Sequence, residues 1–160
     1  MHILLTRPIE DCSEMIIRFQ GLDHKVSHLP LINVENVQHE KINSDDYGGI
    51  IFTSSNAVKN LNGKNLNKKL ICFCVGSATE KKARSLGFQN TLAAEGNVSN
   101  LKELILQNYE LKDTPLLYVS GEIITTDLDQ QLLKDGYAVK RIINYKVNHT
   151  EKFDENFVNE

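Results

Sequence analysis

An apolar run collides with a cluster of hydroxyls at Gly49-Ile50-Ile51-Phe52-Thr53-Ser54-Ser55-Asn56, and that abrupt change prescribes a strand, a polar turn and a helix. Gly49 to Phe52 is short and rich in β-branched and aromatic residues, the composition of a buried strand. Asp45-Asp46-Tyr47-Gly48 bounds it upstream as a turn. Thr, Ser and Asn are helix-capping types, and Ala57, Val58 and Leu61 follow at spacings that give one helical face an apolar stripe. At such a junction the unpaired N–H groups of the first helical turn form a seat for a carboxylate or phosphate.

The same change recurs down the chain. A strand over 70–75 ends at Gly76-Ser77-Ala78-Thr79, and Ala83 and Leu86 continue a helix closed by Gly87. A strand over 88–92 precedes Gly96-Asn97-Val98-Ser99 and a helix through Leu101, Leu104 and Ile105. A strand over 116–119 ends at Ser120-Gly121-Glu122, Leu128, Leu132 and Leu133 mark the next helix, and a last strand from 138 runs out through Asn144-Tyr145-Lys146-Val147. Upstream, strands over 3–6 and 25–29 flank a helix carrying Met15, Ile16 and Phe19, while 31–37 reads as an extended linker. Strands and helices in alternation predict an α/β fold with a parallel sheet flanked by helices. The pattern divides the chain into a partial first domain and linker (1–36), a complete second domain (37–144), and a return crossover with a polar tail (145–160). Ile50, Phe52, Ile71, Phe73, Leu117 and Val119 are its expected core.

The 160 residues, 41% hydrophobic, suffice for one full core. Lys and Arg are scattered and the net charge is −3, which argues against a nucleic-acid or membrane surface. No apolar run nears the roughly 20 residues of a membrane span, and the first strand follows Met1 with no secretory signal ahead of it. Three cysteines predict reduced thiols and a cytoplasmic setting. Cys72 and Cys74 share one face of a strand and read as core, since no further ligands stand at zinc spacing. Phosphate-loop, dinucleotide and nucleophile-elbow motifs are all missing.

Three junctions therefore hold the interest: Thr53-Ser54-Ser55-Asn56, Gly76-Ser77-Ala78-Thr79, and Ser120-Gly121. In a parallel sheet all three emerge at the carboxyl edge, where open α/β folds place ligands. Small residues let backbone N–H groups approach a ligand, and hydroxyls add donors. The competing reading is that these hydroxyls only cap helices.

Residues 46–58, then Val75-Gly76-Ser77-Ala78-Thr79 with Gly87-Phe88, then Leu117-Tyr118-Val119-Ser120-Gly121-Glu122, Gly136 and Tyr145, resemble the uroporphyrinogen-III synthase family. Leu4-Leu5-Thr6-Arg7-Pro8 and Leu29-Pro30-Leu31-Ile32 fit it too. The resemblance implies a two-domain α/β protein whose small-molecule substrate is hydroxymethylbilane. The family removes the substrate hydroxyl as water, inverts the last pyrrole ring through a spiro intermediate and closes the macrocycle, with no metal and no organic cofactor. It further implies that backbone amides in the cleft hold the substrate carboxylates, that Tyr145 assists loss of the hydroxyl, and that Thr79 belongs to the same cleft. In the family, further strands follow the return crossover, so this chain is expected to lack a returning half-domain. Truncation, completion by another chain, or self-association of an exposed first domain are the expected alternatives. A non-catalytic anion-binding α/β module, or an inactive truncated synthase, is the competing functional reading.

Overall fold

A computed structural model describes residues 1–62, 65–110 and 114–150; the expected polar tail from 151 onward lies outside the described residues. The chain divides into two compact units, Met1–Glu35 with Val147–Glu160, and Asn36–Lys146.

In the first unit β1 (His2–Leu5), α1 (Ile9–Gln20) and β2 (Lys25–His28) form a βαβ unit. β1 and β2 pair in parallel, from His2 opposite Lys25 to Leu5 opposite His28. Pro8 precedes α1 because its fixed φ suits a helix entry and it has no N–H to leave unpaired. Only Cys12 of α1 is buried, whereas Leu4, Ile9, Ile17 and Leu22 are exposed. Beyond β2, the Thr150 N–H and hydroxyl donate to the Leu31 and Pro30 carbonyls, tying the end of the second connecting segment to the start of the first.

The second unit is built on β4 (Gly49–Phe52), β5 (Ile71–Val75), β6 (Asn90–Ala94), β7 (Leu116–Gly121) and β8 (Val139–His149); β3 (Ile32–Asn36), which neighbours β8, and the end of β8 from Val147 belong, but for Asn36, to the first unit. The strand order is β3-β8-β7-β4-β5-β6. The five strands from β8 to β6 are parallel throughout. The chain builds outward from β4 to β6 in one direction, then restarts at β7 on the other side of β4. This reversal makes the gap between β4 and β7 a topological switch point, the place where loops diverge and leave a crevice at the carboxyl edge.

Pleating sorts the core into two layers. Ile51, Phe73, Leu116 and Tyr118 pack with Leu101 and Ile105 of α4 (Val98–Asn108) and Leu128 and Leu132 of α5 (Leu128–Lys134). The alternate residues Ile50, Phe52, Cys72, Cys74, Leu117 and Val119 are equally buried. The remaining helices, α2 (Ser55–Lys59) and α3 (Gly76–Ser85), bury Ala57, Val58, Thr79 and Ala83. Each full burial of a side chain of the size of Val, Leu, Ile or Phe is worth about 1.5–3 kcal/mol. Of the expected core, only Ile71 is partly buried.

Two boundaries differ from the sequence reading. The helix after Asn56 stops at Lys59, before Leu61, and Asn60 follows it as the C-cap, its backbone N–H and Nδ2 both donating to the Asn56 carbonyl. β6 begins at Asn90, two residues later than expected, because Phe88 is used elsewhere. The Phe88 N–H caps the Ala83 carbonyl at the end of α3. Its ring packs edge-on to Phe52 at 6.0 Å.

Candidate functional site

The carboxyl ends of β4 and β7 open into a cavity of about 170 Å³ lined by Thr53, Ser54, Val98, Tyr118, Gly121, residues 123–126 and Tyr145. Its wall is built of hydroxyls and aliphatic groups, with no charged side chain. β4 delivers Thr53 and Ser54, β7 delivers Tyr118 and Gly121, and β8 delivers Tyr145.

Thr53 Oγ1 lies 3.2 Å from the Tyr118 hydroxyl, joining the two central strands at their ends. Tyr118 is 1% exposed, and that burial holds its phenol above the usual tyrosine range, against smaller opposing effects of Thr53 and the Arg141 charge. The phenol is thus a neutral donor. Ser54 caps α2 by accepting the Asn56 N–H at 3.2 Å.

Gly121 and Tyr145 are in direct contact. A Cβ placed on Gly121 would lie 2.7 Å from Tyr145 Cζ and 2.9 Å from its hydroxyl, so glycine is the residue this approach allows. The pairing follows from an irregularity: Ser120 lies opposite Ile143, but Gly121 lies opposite Tyr145, and Asn144 is the additional residue of a β-bulge. Asn144 is fully buried and donates from Nδ2 to the Ala57 carbonyl at 2.7 Å, while the Glu122 N–H donates to the Tyr145 carbonyl. Arg141 braces the same corner. Its Nε donates to Ser120 Oγ at 2.8 Å, and its Nη2 donates to the Gly121 and Glu122 carbonyls at 2.8 and 3.1 Å.

Of the residues singled out in the sequence, Thr53, Ser54, Gly121 and Tyr145 line this cavity together. Ser55 and Asn56 belong to the first turn of α2 outside the lining, and Ser120 is buried with its hydroxyl engaged by Arg141 and the Gly121 carbonyl. Gly76, Ser77, Ala78 and Thr79 form the first turn of α3 and do not line it. Thr79 is buried, whereas Ser77 and Ala78 are not. Gly76 takes φ of +75°, which restricts it to glycine by backbone conformation, while the space around its absent Cβ is open. Sequence reasoning missed Tyr118, which reads as one more core residue of β7, and Val98. It also missed Thr125-Thr126, although a further hydroxyl pair just before Leu128 was a visible signal.

A larger cavity, about 430 Å³, is lined by residues 36–42 with Asn60, Asn62, Asn65 and Leu66. Among the described residues no three His, Cys, Asp or Glu side chains gather at a common point, and no helix is long and apolar enough to cross a membrane.

A mostly parallel, doubly wound α/β sheet with a hydroxyl-lined cavity at its switch point defines a class of small-ligand proteins. The profile of the family described as uroporphyrinogen-III synthase HemD matches residues 13–160, and the chain belongs to that family. The fold is similar to that of uroporphyrinogen-III synthetase from Helicobacter pylori, with TM-score 0.63 and 19% identity, over 95% of this chain and 63% of that one. It is also similar to a mutant uroporphyrinogen III synthase from the extremely thermophilic bacterium Thermus thermophilus, with TM-score 0.59 and 13% identity, over 94% of this chain and 64% of that one. The chain therefore spans less than two thirds of the length of these relatives. No curated protein matches the sequence significantly.

Proposed function

We propose that the chain acts as a uroporphyrinogen-III synthase, converting hydroxymethylbilane to uroporphyrinogen III with loss of water. The observation that carries this reading is the meeting of Tyr145, Tyr118, Thr53 and Ser54 in one uncharged cavity at the switch point. Family membership over residues 13–160 supports it.

The chemistry asks for few groups. The C–O bond of the hydroxymethyl arm breaks as the pyrrole nitrogen pushes in its electron pair, and the departing oxygen takes up a proton to leave as water. The α-carbon of the last ring that already bears a methylene bridge captures the cation to give a spiro intermediate. Its bond to that bridge breaks and leaves a cation on the neighbouring ring. The free α-carbon of the last ring captures this cation and loses a proton, so the macrocycle closes with that ring inverted. A neutral phenol suits the first step, because it offers a hydrogen bond to the oxygen as negative charge develops there. Tyr145 is the candidate for that role, since Gly121 fixes its ring and its hydroxyl has no hydrogen-bonding partner among the described residues. At about 170 Å³ the cavity is below the usual range of roughly 300–1,000 Å³ for a whole ligand, and so fits one ring or one carboxylate arm of the substrate. Thr53, Ser54 and Gly121 are its substrate-binding residues under this reading. Ser55, Asn56, Gly76, Ser77, Ala78, Thr79 and Ser120 would serve through backbone N–H groups or by shaping the loops. The substrate is a small molecule and neither nucleic acid nor membrane is a partner. Three free, buried cysteines accord with a reducing cytoplasm.

The test is incubation with freshly generated hydroxymethylbilane and separation of product isomers. The type III isomer is expected. Type I alone, formed at the spontaneous rate, overturns the proposal in favour of a non-catalytic anion-binding module or an inactive truncated synthase.

A further inference from the structure

Thr53 and Tyr118 together own two hydroxyl protons, and the hydrogen bond between them uses one. Whichever residue donates, the other keeps an O–H, and neither hydroxyl has another hydrogen-bond partner among the described residues. Both residues line the cavity that also receives Ser54, Gly121 and Tyr145. Tyr118 is packed to 1% exposure within the layer formed by Ile51, Leu128 and Leu132, so its oxygen cannot swing away to find water without breaking that packing. A donor held rigidly at a cavity wall with no protein acceptor is matched by an acceptor on the ligand. The cavity wall has no charged side chain to attract a particular ion, so this donor and its neighbours carry the recognition of a ligand oxygen.

We infer that Thr53 and Tyr118 form a coupled hydroxyl pair that presents one shared O–H donor to a carboxylate arm of the bound tetrapyrrole. The inference rests on the proposed synthase reading and adds to it a pair of binding residues on the two central strands, separate from the hydroxyl-departure role of Tyr145. The pair is redundant by construction. If Tyr118 loses its hydroxyl, Thr53 no longer has a partner and turns its own O–H to the ligand; if Thr53 loses its hydroxyl, Tyr118 does the same.

Redundancy gives a signature that packing alone does not. Uroporphyrin III is titrated by fluorescence into the full chain, its Tyr118→Phe and Thr53→Val variants, and the double variant, with thermal unfolding recorded for each. Each single change is expected to raise Kd about threefold or less, and the double change about thirtyfold, well beyond the product of the singles, because only then does the pair have no O–H left for a charged acceptor. Thr53→Ser keeps the hydroxyl and is expected to bind as the unmodified chain does. Should the double variant fold poorly, Tyr118→Phe with Thr53→Ala supplies the same loss by a second route. Binding by the unmodified chain together with a double variant no weaker than the product of the singles overturns the pair and leaves the synthase reading standing. No uroporphyrin binding and no type III product from the unmodified chain overturns both.

Discussion

The ring of Tyr145 rests on the α-carbon of Gly121, with the carbon bearing its hydroxyl only 2.7 Å from where a Cβ would stand. Two strands thereby fix a phenol at the cavity wall without a hydrogen bond to its oxygen from any of the described residues.

Gly121→Ala is expected to destabilise the protein by about 1–3 kcal/mol, because the added methyl must push aside a packed ring. The same change made in a Tyr145→Ala background should cost much less. Urea unfolding of the four proteins measures the coupling, and additive costs would mean that the contact does not set the position of the ring.

Ser120→Ala is expected to destabilise by about 1–3 kcal/mol, since it leaves the Arg141 Nε without the acceptor it has at 2.8 Å. Ser54→Ala removes one cap interaction and should cost about 0.5–2 kcal/mol. In ligand titrations the Ser54 change should act directly on the cavity wall, and the Ser120 change only through the loop that Arg141 braces. Restoration of stability by Ser120→Thr would confirm the role of the hydroxyl.

Stability should fall through the alkaline range from about pH 9, where the Cys74 contact and burial keep the Cys72 thiol protonated in the folded chain after the unfolded chain has released its proton, while Lys68 opposes this fall. Lys68 Nζ lies 4.5 Å from the Phe88 ring centroid with no hydrogen-bond partner among the described residues, and burial lowers its pKa below 10.5. Between its folded value and 10.5 the unfolded chain binds the additional proton, so the contribution of Lys68 rises with pH. Burial raises Tyr118 and Tyr109 above 10.0, so beyond that pH the unfolded chain has released protons the folded chain still holds, and stability falls further. Urea midpoints from about pH 7 to about pH 11 should show the fall steepened by Lys68→Met and reduced by Tyr118→Phe.

Amide exchange should be faster in β1, α1 and β2 than in β4 and β5. The first unit buries only Cys12 of α1 and leaves Leu4, Ile9, Ile17 and Leu22 exposed, whereas every residue of β4 is buried. Concentration-dependent protection confined to the first unit would indicate self-association through those side chains. Equal, strong protection of both units in a monomer would contradict the expectation.

The sheet was legible because its strands are continuous apolar runs and its helices carry apolar stripes, signals local enough to survive without knowledge of the fold. Thr53, Ser54 and Gly121 were legible for the same reason, as polar or small residues stationed where a strand stops. Tyr118 was not, since a phenol one residue beyond Leu117 is read as core until the neighbouring strand brings Thr53 to its oxygen. Ser120 carried the opposite ambiguity: a serine at a strand end suggests a ligand donor, yet Arg141, 21 residues later, claims it. Both cases turn on pairings between strands far apart in the chain, which periodicity within one segment does not encode.

The bulge at Asn144 is a displacement in phase. In the register kept from Leu116 to Ser120, Tyr145 would stand opposite Glu122, a residue with a side chain of its own; the slip brings it opposite Gly121. Removing Asn144 would restore an unbroken ladder and a more regular sheet, and would also withdraw the amide that reaches Ala57. With every later residue drawn back one place, Tyr145 would still stand opposite Gly121, so what the deletion removes is the anchor to Ala57 and the local bend of the strand. Pairing of the phenol with glycine and anchoring of β8 to α2 are thus separate contributions of this corner, and a chain shortened at this position would be expected to keep the first and surrender the second.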